Sequence, residues 1–317
     1  MVFCGTPQFA VPSLKKLLSQ PEFEILCVFT QPDRPRGRGR EVSFSPVKEM
    51  ALASAVPVYQ PAKIRAPEIE EQIRVLAPDV MVIIAYGQIV PGRLLPIPRL
   101  AWINLHASLL PKYRGAAPIQ WAIANGESVT GNTTMRIDAG MDTGEMLLQQ
   151  ALSVGPDETA LELTERLAHA GAELMVETLR GLQSGKLSAR PQDHSAASYA
   201  PILKREDGRI DWTRPAREIY NHMRGFTPWP GAFTEFRGQT CHLWGHPLEA
   251  QGRPVSSEKS ADWAGTLVLR RGKLQVACGA TTVMELTDVK LEGRKRISAA
   301  EFASGAHLQV GERLGEG

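Results

Sequence analysis

Near Gly208 the rhythm of apolar and polar positions along the chain changes. Before that point, short and nearly unbroken apolar runs alternate with stretches whose apolar residues recur every three or four positions. The runs at 1–4, 24–30, 56–59, 79–86 and 102–106 read as strands, because an unbroken apolar run of that length suits a strand buried on both faces. Helices are expected over 9–18, 67–76 and 116–124. Another is expected over 47–55, where Ser45 and Pro46 supply a cap and a first helical position. The first strand looks clipped, since a buried parallel strand usually starts earlier. Strands at 132–137 and 145–153 follow, and from Asp157 a long helix keeps its period through Leu163, Leu167, Ala170 and Leu174. This alternation predicts an α/β fold, Rossmann-like, with a mostly parallel sheet covered on both faces.

Residues 184–200 have weak periodicity and contain Ser, Ala and Pro, as a connecting segment would. Beyond them, short β-like runs at 209–212, 232–236, 240–244, 265–269, 274–277 and 282–289 are separated by Gly, Pro and charge. That texture predicts a small sandwich or barrel. The expected organisation is therefore a first domain of 1–185, a linker of 186–205 and a second domain of 206–317.

Composition narrows the class without changing this picture. The chain has 317 residues, 43% of them hydrophobic, and a net charge of +2, which is the balance of a globular protein with ample core. The first 200 residues carry a net −1 and the remainder +3. This slight basic excess is mostly what a solvated face would show. No apolar stretch is long enough for a membrane span, and MVFCGTPQFA lacks the marks of a secretory signal. Four well-separated cysteines, with no C-x-x-C pair, argue against a zinc site or a disulfide framework and fit a cytoplasmic location.

Three segments carry candidate chemistry. Gly5 stands alone after the first strand, so the G-x-G-x-x-G turn of dinucleotide binding is missing. The segment INLHASLLPKYRG begins in a strand and ends beyond it, at the edge where open parallel sheets bind ligands. Asn104 and His106 are two apart, hence on one face, and an amide beside an imidazole suits a developing oxyanion. The loop DAGMDTG at 138–144 could bring a carboxylate beside His106, fixing its orientation and favouring the imidazolium. Spacing alone does not choose between Asp138 and Asp142, and either could simply form a turn.

With these motifs side by side, the chain resembles the formyltetrahydrofolate-dependent formyltransferases. The similarity lies in INLHASLLPKYRGAAPIQWAI followed by GNTTMRIDAGMDTGEML. GTPQFA, FTQPDRPRGRGREVSFSPVK, RIDW, FTPWPGAF and LEGRKRISAAEF extend it over essentially the whole sequence. The resemblance implies a Rossmann-like domain joined to an OB-like barrel that binds tRNA. It implies transfer of the formyl group of 10-formyltetrahydrofolate to the α-amino group of methionine on charged initiator tRNA. The catalytic residues would be Asn104, His106 and Asp142, with no metal. Ser108, Leu109, Leu110 and Pro111 would hold the folate; Tyr86, Gly87 and Gln88 form a plausible pterin-side loop.

Arg34, Arg36, Arg38 and Arg40 match the family loop presented to the tRNA acceptor end. With Pro35, Gly37 and Gly39 between them they do not fit a regular helix, and guanidinium planes suit phosphate and unpaired bases. Lys290, Arg294, Lys295 and Arg296, together with Arg270, Arg271 and Lys273, are candidate phosphate contacts or a solvated basic rim. Trp229, between two prolines, is expected in a core or a domain interface. A cytoplasmic monomer is expected, with no membrane partner. The competing readings are an amino-sugar-nucleotide N-formyltransferase, which shares the N-x-H…D core, and a non-catalytic RNA-binding protein.

Overall fold

The computed structural model describes residues 1–36, 41–248, 263–309 and 311–315. Two compact units emerge. One comprises Met1–Ile119, Val129–Ser153 and Glu162–Pro201; the other comprises Gln120–Ser128, Val154–Leu161 and Ile202–Gly317.

The strands of the first unit are, in chain order, β1 (Val2–Gly5), β2 (Cys27–Phe29), β3 (Arg34–Arg36), β4 (Glu41–Ser43), β5 (Val58–Tyr59) and β6 (Val80–Ile84). Then come β7 (Ala101–His106), β8 (Arg114–Gly115), β9 (Val129–Arg136), β10 (Met146–Ser153) and β11 (Tyr199–Ala200). Seven of them form one sheet in the order β10-β9-β7-β6-β1-β2-β5. The five strands from β7 to β5 run parallel, while β9 lies antiparallel to both β7 and β10. Despite its short length, β1 sits between β6 and β2. The helices are α1 (Val11–Leu18), α2 (Pro46–Ala53), α3 (Pro67–Leu76) and α5 (Ala160–Gln183), while α4 (Pro118–Ala124) belongs mostly to the second unit. Ser45 caps α2, its side chain accepting the amide of Lys48.

Strand alternation sorts the core into two layers. Phe3, Val82, Ile84, Ile103 and Leu105 face one way and pack with Leu14, Leu17 of α1 and Leu174, Met175 and Leu179 of α5. Cys4, Met81, Ile83 and Trp102 face the other way and pack with Ile73 of α3, Ile64 and Leu94. Asn104 and His106 alternate with Ile103 and Leu105, so they project on the Trp102 side, where the strand leaves its apolar cover.

The stretch 186–205 has more structure than its composition suggests. Arg190 and Met146 exchange two backbone hydrogen bonds of 2.8 Å, Gln192 is buried, and β11 lies parallel to β8. The first unit thus continues to Pro201.

In the second unit, β12 (Phe233–Phe236), β13 (Gln239–Pro247), β14 (Leu267–Arg270), β15 (Lys273–Ala277), β16 (Val283–Leu291) and β17 (Ile297–Ser298) form an antiparallel sheet. Its order is β12-β13-β16-β15-β14, with β17 on β16. Trp212, Met223, Leu243, Val276, Met284, Val289 and Phe302 share its core. Residues 209–212, expected as a strand, make only an isolated bridge from Arg209 to Phe233. Two helices were not expected: α6 (Ala216–Gly225) and α7 (Ala299–Gly305). The period of α6 is hidden because polar Asn221 and Arg224 are buried with its apolar residues. Arg224 is satisfied by the carbonyls of Gly155 and Glu158 and by Asn221 Oδ1. Trp229 is 56% exposed rather than in a core; the neighbouring Phe226 takes the buried position, edge-on to Trp121 at 5.1 Å.

Candidate active site

Asn104, His106 and Asp142 meet at the end of β7. Asp142 Oδ1 lies 3.5 Å from Asn104 Nδ2, and Asp142 Oδ2 lies 3.6 Å from His106 Nδ1. Both gaps exceed an ordinary hydrogen bond, so neither donor is committed to the carboxylate. His106 is 6% exposed and the Asp142 side chain 17%. The cluster is therefore sheltered from bulk water, which strengthens its electrostatics.

The two loop acids, between which spacing does not choose, have different surroundings. Asp138 Oδ1 accepts the amide of Gly140 at 3.0 Å and the hydroxyl of Thr143 at 2.7 Å, which is a turn-forming role. Asp142 instead turns toward β7, with a left-handed backbone at φ 54°. Gly144 closes the loop where nothing larger fits: a Cβ there would stand 1.8 Å from the carbonyl oxygen of Arg136.

Several partners had no signal in the spacing. His106 Nε2 donates to the carbonyl of Tyr113 at 2.8 Å, and this closer contact, rather than Asp142, fixes the ring. Tyr113 presents that carbonyl from a left-handed turn at φ 60°, with its own amide on Ser198 Oγ at 2.9 Å. The amide of Gly115 donates to Asp142 Oδ2 at 2.9 Å. Gly115 itself has φ +121°, and a Cβ there would meet the carbonyl oxygen of Ala200 at 2.6 Å. Signals for Tyr113 and Gly115 were present only as residue types in KYRG.

The expected folate segment packs tightly against the sheet. Ser108 is fully buried and its hydroxyl donates to the carbonyl of Lys112 at 2.6 Å. Thr133 Oγ1 donates to the carbonyl of Ser108 and accepts the amide of Leu110. Gln149 donates to the carbonyl of Leu110 at 2.9 Å. Leu109 is partly exposed, Leu110 is buried, and the bond from Leu110 to Pro111 is cis. These contacts make 108–111 a fixed wall beside His106.

In the other expected folate loop, Gln88 is turned away, its amide holding the backbone of Pro61 and Ile64. Tyr86 is buried, and that burial pushes its phenol well above the ordinary range. The Tyr86 carbonyl accepts from Thr6 and Gln31 at 3.1 Å each. Gly87 has φ +85°. Tyr86 and Gly87 join Thr6, Gln31, Asp33, Arg34 and Ser45 around a cavity of about 370 Å³. It lies where the strand order reverses between β1 and β6, the usual ligand crevice of such sheets.

Of the four loop arginines, Arg34 is exposed at the start of β3, and Arg36 ends that strand. Arg38 and Arg40 lie outside the described residues. The antiparallel pairing of β3 with β4 agrees with the expectation that the segment is no helix. Its root is set by Lys48, which bonds Asp33 and Gln60. Hydrogen bonds from Lys48 and Gln60 hold the Asp33 carboxyl below its usual range.

In the second unit Lys290, Arg294 and Lys295 are exposed. Arg296 is already engaged, bonded to Asp288 at 2.9 Å and stacked 4.0 Å above Trp244. Lys273 is likewise paired with Glu285. Among the described residues no three His, Cys, Asp or Glu side chains gather to hold a metal ion. None of their helices is long and apolar enough to cross a membrane.

Comparison with known proteins gives two family matches along the chain. Residues 1–179 match the formyl transferase domain family, and residues 202–307 match the formyl transferase C-terminal domain family. A methionyl-tRNA formyltransferase of Solibacter usitatus is 53% identical over 100% of this chain and 99% of its own length. Another, from Geobacter sulfurreducens, is 48% identical over 100% of this chain and 96% of its own. Among solved structures, a sugar 3N-formyl transferase with dTDP and 5-N-formyl-THF shares the fold. Its TM-score is 0.65 at 18% identity, covering 93% of this chain and 98% of that one. The N-formyltransferase of Helicobacter canadensis, in complex with folinic acid and dTDP-3-aminofucose, is as similar, at TM-score 0.65 and 18% identity over 90% and 97%.

Proposed function

The chain belongs to the formyl transferase family, and from that footing we propose that it formylates the α-amino group of methionine carried by initiator tRNA. The formyl donor is 10-formyltetrahydrofolate. The meeting of Asn104, His106 and Asp142 at one sheltered sheet edge supports the formyl transfer, and full-length likeness to methionyl-tRNA formyltransferases carries the choice of acceptor.

The amine attacks the formyl carbon, and negative charge builds on the formyl oxygen. The Asn104 amide and the Nδ1 edge of an imidazolium at His106 donate to that oxygen. The Tyr113 carbonyl keeps Nε2 as the anchored side of the ring, which leaves Nδ1 turned to the reacting groups. Asp142 accepts the proton of the attacking amine, directly or through water. The leaving N10 collects a proton as the C–N bond breaks. Fixed donors in a sheltered site do this without reorganising at the moment of reaction. The reaction needs no metal.

Ser108, Leu109, Leu110 and Pro111 form the folate side, with Tyr86 and Gly87 at the pterin end; Gln88, turned away, supports that loop from behind. Arg34, Arg36, Arg38 and Arg40, with Lys290, Arg294 and Lys295, contact the acceptor end of the tRNA. Arg296 contributes only if it leaves Asp288. The enzyme works in the cytoplasm, as four buried free thiols suit a reducing compartment, and as a monomer.

An amino-sugar nucleotide is the competing acceptor. Full-length likeness to relatives named for the tRNA reaction favours the tRNA, whereas the sugar enzymes share only the fold. The deciding assay offers 10-formyltetrahydrofolate with charged methionyl-tRNA, free methionine or amino-sugar nucleotides. Formylation of the charged tRNA alone is the expected result; turnover on the sugar and not on the tRNA would replace the reading.

A further inference from the structure

Gln192 lies in the stretch whose composition suggested a linker, yet it is 6% exposed and every polar valence of its amide is used. Its Nε2 donates to the backbone carbonyl of Asp142 at 2.9 Å and to that of Gly144 at 2.7 Å. Its Oε1 accepts from Arg114 Nε at 3.1 Å and Nη2 at 2.6 Å. An amide has two donor hydrogens and two acceptor lone pairs, so this side chain has one orientation and cannot turn over without losing all four bonds.

Arg114 is 2% exposed and its Nη2 also reaches His194 Nδ1 at 3.2 Å. The residue after it, Gly115, donates its amide to Asp142 Oδ2. Two connections therefore run from β8 to Asp142. One passes through Gly115 to the carboxylate, the other through Arg114 and Gln192 to the backbone. Without the second, Gly115 would still hold the Asp142 carboxylate, but the Asp142 and Gly144 carbonyls would lose their bonds to Gln192.

We propose that Gln192, backed by Arg114, is the positioning residue that holds Asp142 in register with Asn104 and His106. This inference rests on the catalytic reading given above. Gln192 does not touch the reacting atoms; it acts by removing freedom from the 138–144 loop. Misplacement of a catalytic group by about 1 Å is enough to cost up to about 100-fold in rate.

The test is a double-mutant cycle on steady-state formylation of methionyl-tRNA. Gln192→Met keeps the volume and removes the four bonds. In the wild-type background it should lower kcat by about 10- to 100-fold and leave KM for 10-formyltetrahydrofolate within about threefold. In an Asp142→Asn background it should change kcat by less than about threefold, because the group it positions is already disabled. A kcat within threefold of wild type, or an equal loss in both backgrounds, overturns the proposal; the second result would mark a merely structural role. Should Gln192→Met fail to fold, Gln192→Glu is read in the same way, since it keeps the acceptor for Arg114 and removes both donors to the loop. Asp142→Asn alone reports on the catalytic reading. Wild-type turnover in that variant would end the reading itself, whereas an impaired Asp142→Asn beside an unimpaired Gln192→Met ends only this inference.

Discussion

Asp138 and Asp142 are chemically alike and four residues apart, yet the structure gives them opposite surroundings. Asp138 spends an oxygen on Gly140 and Thr143 within its own loop, while Asp142 faces an amide and an imidazole. An Asn side chain still offers an acceptor oxygen. Asp138→Asn is therefore expected to keep kcat within about threefold, the turn surviving. Asp142→Asn should lower kcat by at least about 100-fold, since an amide does not take the proton of the amine. Parallel kinetics on the two variants check this; equal losses would contradict the assignment. At this scale the sequence was partly legible. Residues two apart on a strand must share a face, which identifies Asn104 and His106. No local rule reveals which acid of a loop turns inward, or that a Tyr113 carbonyl would take His106 Nε2.

Elements divide in the same way. The parallel strands and α3 could be read from apolar runs and from helical period, because burial on both faces leaves a continuous signal. The β8–β11 pairing joins residues 85 apart, and two-residue strands carry no pattern, so the brace on Asp142 was invisible. Helix α6 was hidden for another reason: its buried face includes Asn221 and Arg224, which pattern reading counts as polar. The loop element tolerates little. A methyl group on Gly144 meets the Arg136 carbonyl, so Gly144→Ala should displace Asp142 and reduce kcat by at least about tenfold; wild-type kinetics would contradict this. Burial holds the His222 imidazole of α6 below its ordinary pKa of 6.5. The folded state thus prefers the neutral ring. This contribution is intact above pH 6.5 and is lost as pH falls from there through the lowered folded value. Thermal melting from pH 7.5 to 5.5 should show a loss of stability that His222→Gln reduces; an unchanged acid dependence in that variant would exclude the contribution.

Across the molecule, four cysteines are distributed over both units, all buried and unpaired. Burial pushes the thiols of Cys27, Cys241 and Cys278 up to about 12, and that of Cys4 well above its usual range. Thiolate is the reactive form. Ellman's reagent at pH 8 should find essentially no reactive thiol in the native protein and all four after unfolding. A fast-reacting thiol in the folded protein would contradict the core assignment.

The central claim is that amide, imidazole and carboxylate at the end of β7 perform the formyl transfer. Single-turnover transfer from 10-formyltetrahydrofolate to methionyl-tRNA, with saturating enzyme, tests it directly by separating chemistry from binding. Wild-type protein should formylate the tRNA, and His106→Ala should slow the step by about 10²–10³-fold, the loss expected for an oxyanion donor. Transfer by His106→Ala at the wild-type rate would contradict the account.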